Sequence, residues 1–103
     1  MKQFKCCAKN STEADRVEKI YHFLRAIADP SRLKILCILQ TGSQCVCEIT
    51  AKMEISDKLA SHHLKQLKKL GLLTKKREGN FIRYSLNKKI IEDYKKNFNR
   101  III

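Results

Sequence analysis

Apolar side chains at Ala14, Val17, Ile20, Tyr21, Leu24, Ile27 and Ala28 recur every three or four positions. That spacing lines one face of a helix and predicts a first helix starting at Thr12. Residues 1–10 carry no such period and read as a mobile N-terminal arm ahead of one domain covering 11–103. After Asp29-Pro30-Ser31, where Asp29 can cap a helix and Pro30 suits its first position, a second helix is expected over 30–39. Its Leu33, Ile35, Leu36, Ile38 and Leu39 cover most sides, so burial of most of it, Cys37 included, is expected. A short third helix over 46–53 should bury Ile49 and Met53. Ser56 then caps a fourth helix that stops at Gly71. Alternation at Ile82, Tyr84 and Leu86 marks a strand, and Gly79-Asn80 suits a hairpin turn to a strand beginning near Leu72. Asn87 caps a last helix striped with Ile90, Ile91, Tyr94, Phe98, Ile101 and Ile102. The order helix, helix, helix, helix, hairpin, helix predicts a mainly α winged helix-turn-helix with a small β-hairpin. The final stripe is wide for a terminal segment and calls for a partner surface. The first helix of the same chain and of a second chain can supply it, which points to a homodimer.

The fourth helix divides into two faces. Ala60, Leu64, Leu67 and Leu70 lie on one, while Lys58, Ser61, His62, Lys65 and Lys69 lie on the other at spacings of three and four. With 22 Lys and Arg against 10 Asp and Glu, the 103-residue chain carries a formal net charge of +12. The charge is not scattered: residues 58–77 contain no acid. A solvated polar face would mix signs, whereas this one attracts a polyanion. Ser56, Lys58, Lys65 and Lys69 are candidates for phosphate contact on the helix, and Arg77, Asn80 and Arg83 on the hairpin. Ser61 and His62 are short enough to approach base edges, where sequence is read. Double-stranded DNA is the expected partner.

Five cysteines remain, at positions 6, 7, 37, 45 and 47. An odd number without a secretory signal argues against a disulfide framework and for a cytoplasmic protein with free, redox-active or metal-binding thiols. Thiolates are soft ligands suited to Cd(II), Pb(II), Zn(II), Cu(I) or As(III). Cys45 and Cys47 stand at the start of the third helix. Inside a regular helix, residues two apart diverge by about 200°; an extended first residue lets both turn to one ion.

The runs Ala28-Asp29-Pro30-Ser31-Arg32-Leu33-Lys34-Ile35-Leu36, Ile55-Ser56-Asp57-Lys58-Leu59-Ala60-Ser61-His62-His63-Leu64-Lys65-Gln66-Leu67 and Arg77-Glu78-Gly79-Asn80-Phe81-Ile82-Arg83-Tyr84-Ser85-Leu86 together resemble the ArsR/SmtB family of winged-helix metal-sensing repressors. The resemblance covers about residues 14–98. It implies a homodimer that holds an inverted-repeat operator and releases it when metal binds. Asp57 departs from the glutamine common there. Cys45-Val46-Cys47-Glu48-Ile49 is similar to the metal box of the arsenic- and cadmium/lead-sensing branches. Thr50 replaces the third cysteine of the arsenic type, which favours completion by Cys6, Cys7 or both from the other chain's arm, as in the cadmium/lead branch. The family's second zinc site, in the last helix, has no ligands left here: Lys88, Lys89, Ile90, Arg100 and Ile101 occupy that stretch. By the same resemblance His62 and His63 serve DNA contact and packing. His22 reads as structural.

Two other readings compete. A redox sensor would join Cys45, Cys47 and an arm cysteine by disulfide chemistry. A structural zinc domain that binds a protein through its wing would unfold on chelation. Catalysis is not expected, since no paired carboxylates, activated nucleophile or phosphate-cradling loop is visible. No organic cofactor, small organic substrate or membrane is expected as a partner.

Overall fold

The computed structural model describes residues 12–102; the arm cysteines Cys6 and Cys7 lie outside them. Helix α1 (Thr12–Ile27) is followed by α2 (Pro30–Ile38), a single 3₁₀ turn (Leu39–Thr41), strand β1 (Gln44–Cys45) and α3 (Val46–Met53). Then come α4 (Asp57–Lys69), β2 (Leu73–Glu78), β3 (Phe81–Leu86) and α5 (Lys88–Ile101). The strands form one antiparallel sheet in the order β1-β3-β2.

The caps foreseen from the sequence set the helix starts. Asp29 Oδ1 accepts from the Ser31 and Arg32 N–H groups at 2.8 and 3.2 Å. Ser56 Oγ accepts from Leu59 N–H at 3.1 Å, and Asn87 Oδ1 from Ile90 N–H at 3.4 Å. Each satisfies a donor that has no partner within its helix. α4 ends where Gly71 takes φ +79°, a left-handed conformation that glycine adopts without strain. Gly79-Asn80 forms the two-residue tip, closed by the Glu78–Phe81 pair.

The core gathers Ile35 and Leu39 from α2 and its exit, Ile49 and Met53 from α3, Leu64 and Leu67 from α4, and Leu72, Leu73 and Tyr84 around the sheet. α1 and α5 close it with Phe23, Ile27, Ile90, Ile91 and Tyr94. Phe23 and Tyr94 stack with ring centroids 4.6 Å apart.

One expectation is corrected. α2 is not largely buried: Ile35 is, but Leu33 is 50% exposed and Cys37 is exposed. A helix turns 100° per residue, and among the described residues only the sides of α2 that meet α1, α3 and α4 have a neighbour. The α5 stripe divides. Ile90, Ile91 and Tyr94 pack against this chain's own core, whereas Phe98, Ile101 and Ile102 line an open apolar groove of about 200 Å³ with Val17, Ile20, Tyr21 and Leu24. β1 had no counterpart in the sequence reading, because two residues are too few to show a strand period.

Candidate nucleic-acid interface and thiol site

The acid-free face of α4 stands outward as a block. Ala60, Leu64 and Leu67 have no exposed surface, which fixes the rotation of the helix and turns Lys58, His62, Lys65 and Lys69 to solvent, with Ser61 half-buried beside them. Ser56 sits one residue ahead, its hydroxyl engaged in the cap. Asp57, in the first turn, places its charge at the positive end of the helix dipole.

His63 faces inward and is 6% exposed. Arg32 Nε of α2 donates to its Nδ1 at 3.1 Å, which makes Nδ1 the acceptor nitrogen and fixes the proton of neutral His63 on Nε2. Burial is the main cause that pushes the His63 pKa below its ordinary 6.5; the positive Arg32 adds to it and Asp29 opposes. The Asp29 carboxyl is held below its usual range: desolvation pushes it up, but the Arg32 and Ser31 N–H groups and the charges of His63 and Arg32 prevail. Asp29, Arg32 and His63 thus tie the start of α2 to the middle of α4.

The wing carries Lys75, Lys76, Arg77 and Asn80, all exposed. Arg77 Nε donates to the Gly79 carbonyl at 3.3 Å and braces the tip. Arg83 is placed differently. Its Nε donates to Ser43 Oγ at 3.1 Å and its Nη2 to the Ser43 carbonyl at 2.8 Å, with Glu48 and Glu78 carboxylates at 3.6 and 3.8 Å. Arg83 also pairs with Cys45 in the β-ladder.

Cys45 is the N-cap of α3, with extended φ −80° and ψ 163°. Its N–H donates to Glu48 Oε1 at 2.8 Å. Because Cys45 is extended while Cys47 is helical, the two side chains converge with Cα atoms 5.4 Å apart, and their sulfurs are bonded to each other. Cys45 is buried and Cys47 exposed. Among the described residues no group of three or more His, Cys, Asp or Glu side chains converges on one point. The chemistry of two convergent thiols suits a soft ion, and the described residues of one chain bring no third ligand-type side chain to them. Cys37 belongs to a different surface. No helix among the described residues is long and apolar enough to cross a membrane.

A helix with a cationic outer face, packed on two short helices and flanked by a basic two-stranded wing, defines a winged-helix DNA-binding protein. Residues 29–75 match the family model for the bacterial regulatory proteins of the arsR family. The chain is 37% identical over 78 residues to an arsenical resistance operon repressor of Staphylococcus aureus, covering 76% of this chain and 75% of that one. It is 41% identical over 64 residues to a cadmium resistance transcriptional regulatory protein CadC homolog of the same organism, over 61% of this chain and 53% of the relative. A solved structure described as a possible transcriptional regulator for arsenical resistance superposes with a TM-score of 0.72 at 29% identity, over 78% of this chain and 83% of that one. The chain belongs to the arsR family: it is a DNA-binding transcriptional repressor and not an enzyme.

Proposed function

We infer that this protein is a cytoplasmic homodimer that holds an inverted-repeat operator and lets it go when a soft metal or metalloid ion binds Cys45 and Cys47. The observation that carries this reading is the convergence of those two thiols at the start of α3, the helix packed directly against α4. Ser61 and His62 read base edges; Lys58, Lys65, Lys69, Arg77 and Asn80, with the α4 start at Ser56, hold phosphates. Arg83 reaches a phosphate only by giving up Ser43, so its part is to position the wing. Cys6 or Cys7 from the arm of the second chain completes the ligand set.

In the reduced protein a soft ion displaces the two thiol protons and binds Cys45 and Cys47 as thiolates, and so fixes the first turn of α3 in another arrangement. The Cys45 N–H and the Glu48 carboxylate define that turn, and Glu48 also faces Arg83 on the wing strand. Release follows only if the two arrangements bind metal and DNA with different affinity. The related repressors named for arsenical and cadmium resistance support the choice of Cd(II), Pb(II), Zn(II) or As(III).

The bonded sulfurs favour a second reading. Peroxide would oxidise the two thiols, 2 Cys–SH and H₂O₂ giving Cys–S–S–Cys and two waters, and the disulfide would be the signal. One titration separates them. Operator affinity of the fully reduced protein is measured with Cd(II) and, separately, with peroxide in metal-free buffer. The metal reading expects weakening of about 5- to 150-fold with Cd(II) alone, abolished by Cys45→Ser with Cys47→Ser. A response to peroxide alone would put the redox reading in its place.

A further inference from the structure

Between the second half of α1, the start of α2 and the last turns of α4 lies a cleft of about 390 Å³ whose lining, apart from Lys69, has no part in the contacts proposed above. Its polar walls are His22, Arg25, Arg32, Gln66 and Lys69, over a floor of Ala26 and Leu70. No carboxylate lines it. Three permanent cations therefore converge from three helices on one space; of these, Arg32 also feels the charge of Asp29, which does not line the cleft.

Arg32 is aimed. Its Nε is held by the buried His63 Nδ1 at 3.1 Å, and the neutral state of His63, favoured by burial, keeps that acceptor available. Fixing a guanidinium through Nε leaves both terminal NH₂ groups free for the fork that grips an oxyanion. Arg25 is steadied at its base by Tyr21, whose hydroxyl accepts from Nη1 at 3.2 Å. Like charges held this close repel unless an anion lies between them. Gln66 and Lys69 follow His62 and Lys65 by four residues each, so the cleft continues the same outer face of α4.

We propose that this cleft is a second phosphate site, in which Arg25, Arg32 and Lys69 grip a phosphodiester of the DNA backbone beyond the groove entered by Ser61 and His62. The ligand is the backbone, not a free anion, because the cleft is continuous with the face that meets DNA. His63 is a positioning residue, setting Arg32 from behind without touching DNA. The proposal rests on the DNA-binding reading above.

The test compares the parent with Arg25→Gln and with Arg25→Gln plus Arg32→Gln, each confirmed folded by circular dichroism. Binding to operator and to unrelated duplex is followed from low to physiological salt. One lost phosphate contact should make the log–log salt slope shallower by about 0.9 on both duplexes. The double variant should lose no more than the single one, since both arginines serve one phosphate, and the preference for operator should be kept. Arg25 is exposed on α1, so its variant decides the matter even if the double one fails to fold. If the parent binds DNA and the Arg25→Gln slope equals the parent's, the proposal is overturned while the DNA-binding reading stands; if the parent binds no DNA, that reading fails first. Inorganic phosphate is the second arm. If it raises the melting temperature of the free parent but not of Arg25→Gln, with DNA slopes unchanged, the cleft belongs to a small anion and the DNA assignment is wrong.

Discussion

Arg83 stands opposite Cys45 in the β1–β3 ladder and closes its guanidinium onto Ser43, the residue that leads into β1. The wing is thereby fastened to the thiol-bearing turn. Replacing Arg83 by Ala removes two hydrogen bonds from a side chain that is 29% exposed. A loss of about 1 kcal/mol is expected, since partial exposure weakens charged bonds, and the melting temperature should fall by about 4–8 °C. The salt slope of DNA binding should barely move. A slope shallower by a full unit would return Arg83 to the phosphate contacts.

Arg77→Ala and Lys65→Ala should show the opposite pattern. Both side chains are exposed, so stability changes little, and each lost phosphate contact lowers the salt slope by roughly one unit on every sequence. Ser61→Ala and His62→Ala should instead narrow the gap between operator and unrelated DNA. Binding across a panel of single-base operator variants checks this; unchanged discrimination would misplace the reading face.

What was legible in the sequence was whatever repeats with a helical period or sits at a cap. Asp29, Ser56 and Asn87 cap the helices assigned to them, and Gly79-Asn80 turns the hairpin. The two faces of α4 fell where the three-and-four spacing put them, because Leu64 and Leu67 leave the helix only one rotation. What was not legible depends on neighbours far along the chain. Cys37 and Leu33 look like core residues, yet nothing among the described residues covers their side of α2. Arg83 reads as one more wing cation until β1 brings Ser43 beside it. Arg32 lies 31 positions from the histidine it holds. For Cys45 and Cys47 the spacing allowed convergence, and the extended N-cap realised it.

His63 gives stability a pH dependence of known sign. Its folded-state pKa lies below the unfolded 6.5. Above that value both states are neutral and it contributes no slope. As pH falls below 6.5 the unfolded chain takes up a proton that the folded one resists, so stability falls until the folded pKa is passed. One such group can contribute at most about 1.4 kcal/mol per pH unit. Urea unfolding between pH 7.5 and 5.5 should show this decline, and His63→Gln should flatten it. An equally steep decline in the variant would assign it to other groups.

The open groove of Leu24, Phe98, Ile101 and Ile102 bears on assembly. An apolar strip at the edge of α1 and α5 is the surface a second copy would cover, burying Phe98 while leaving the Phe23–Tyr94 stack inside each chain. Phe98→Asp should give monomers in sedimentation at micromolar concentration, and with them loss of tight binding to an inverted repeat but not to a half-site. Tyr94→Phe should remain dimeric, losing only its 3.3 Å bond to the Leu70 carbonyl. Sedimentation of the parent as a monomer would remove the strip from the interface.

The arm is tested by deletion. Two thiolates from residues 45 and 47 leave a soft ion short of the three or four sulfurs it favours, and no other described side chain stands ready to complete the set. Of the three remaining thiols Cys37 lies on a different surface, which leaves Cys6 and Cys7, and adjacent cysteines rarely bind one ion together without backbone strain. A form lacking residues 1–9 should therefore bind Cd(II) more weakly and show a near-ultraviolet thiolate charge-transfer band of lower intensity. Its operator affinity should respond less to the ion, because a ligand set completed from the other chain is what links α3 to the dimer. Cys6→Ser and Cys7→Ser, made singly, identify the ligand: the one that matters reproduces the deletion, and the other behaves as the parent. The intensity of the band per bound ion counts the sulfurs independently of DNA. If the truncated form keeps the full band and the full operator response, the arm contributes no ligand and Cys45 and Cys47 carry the site without it.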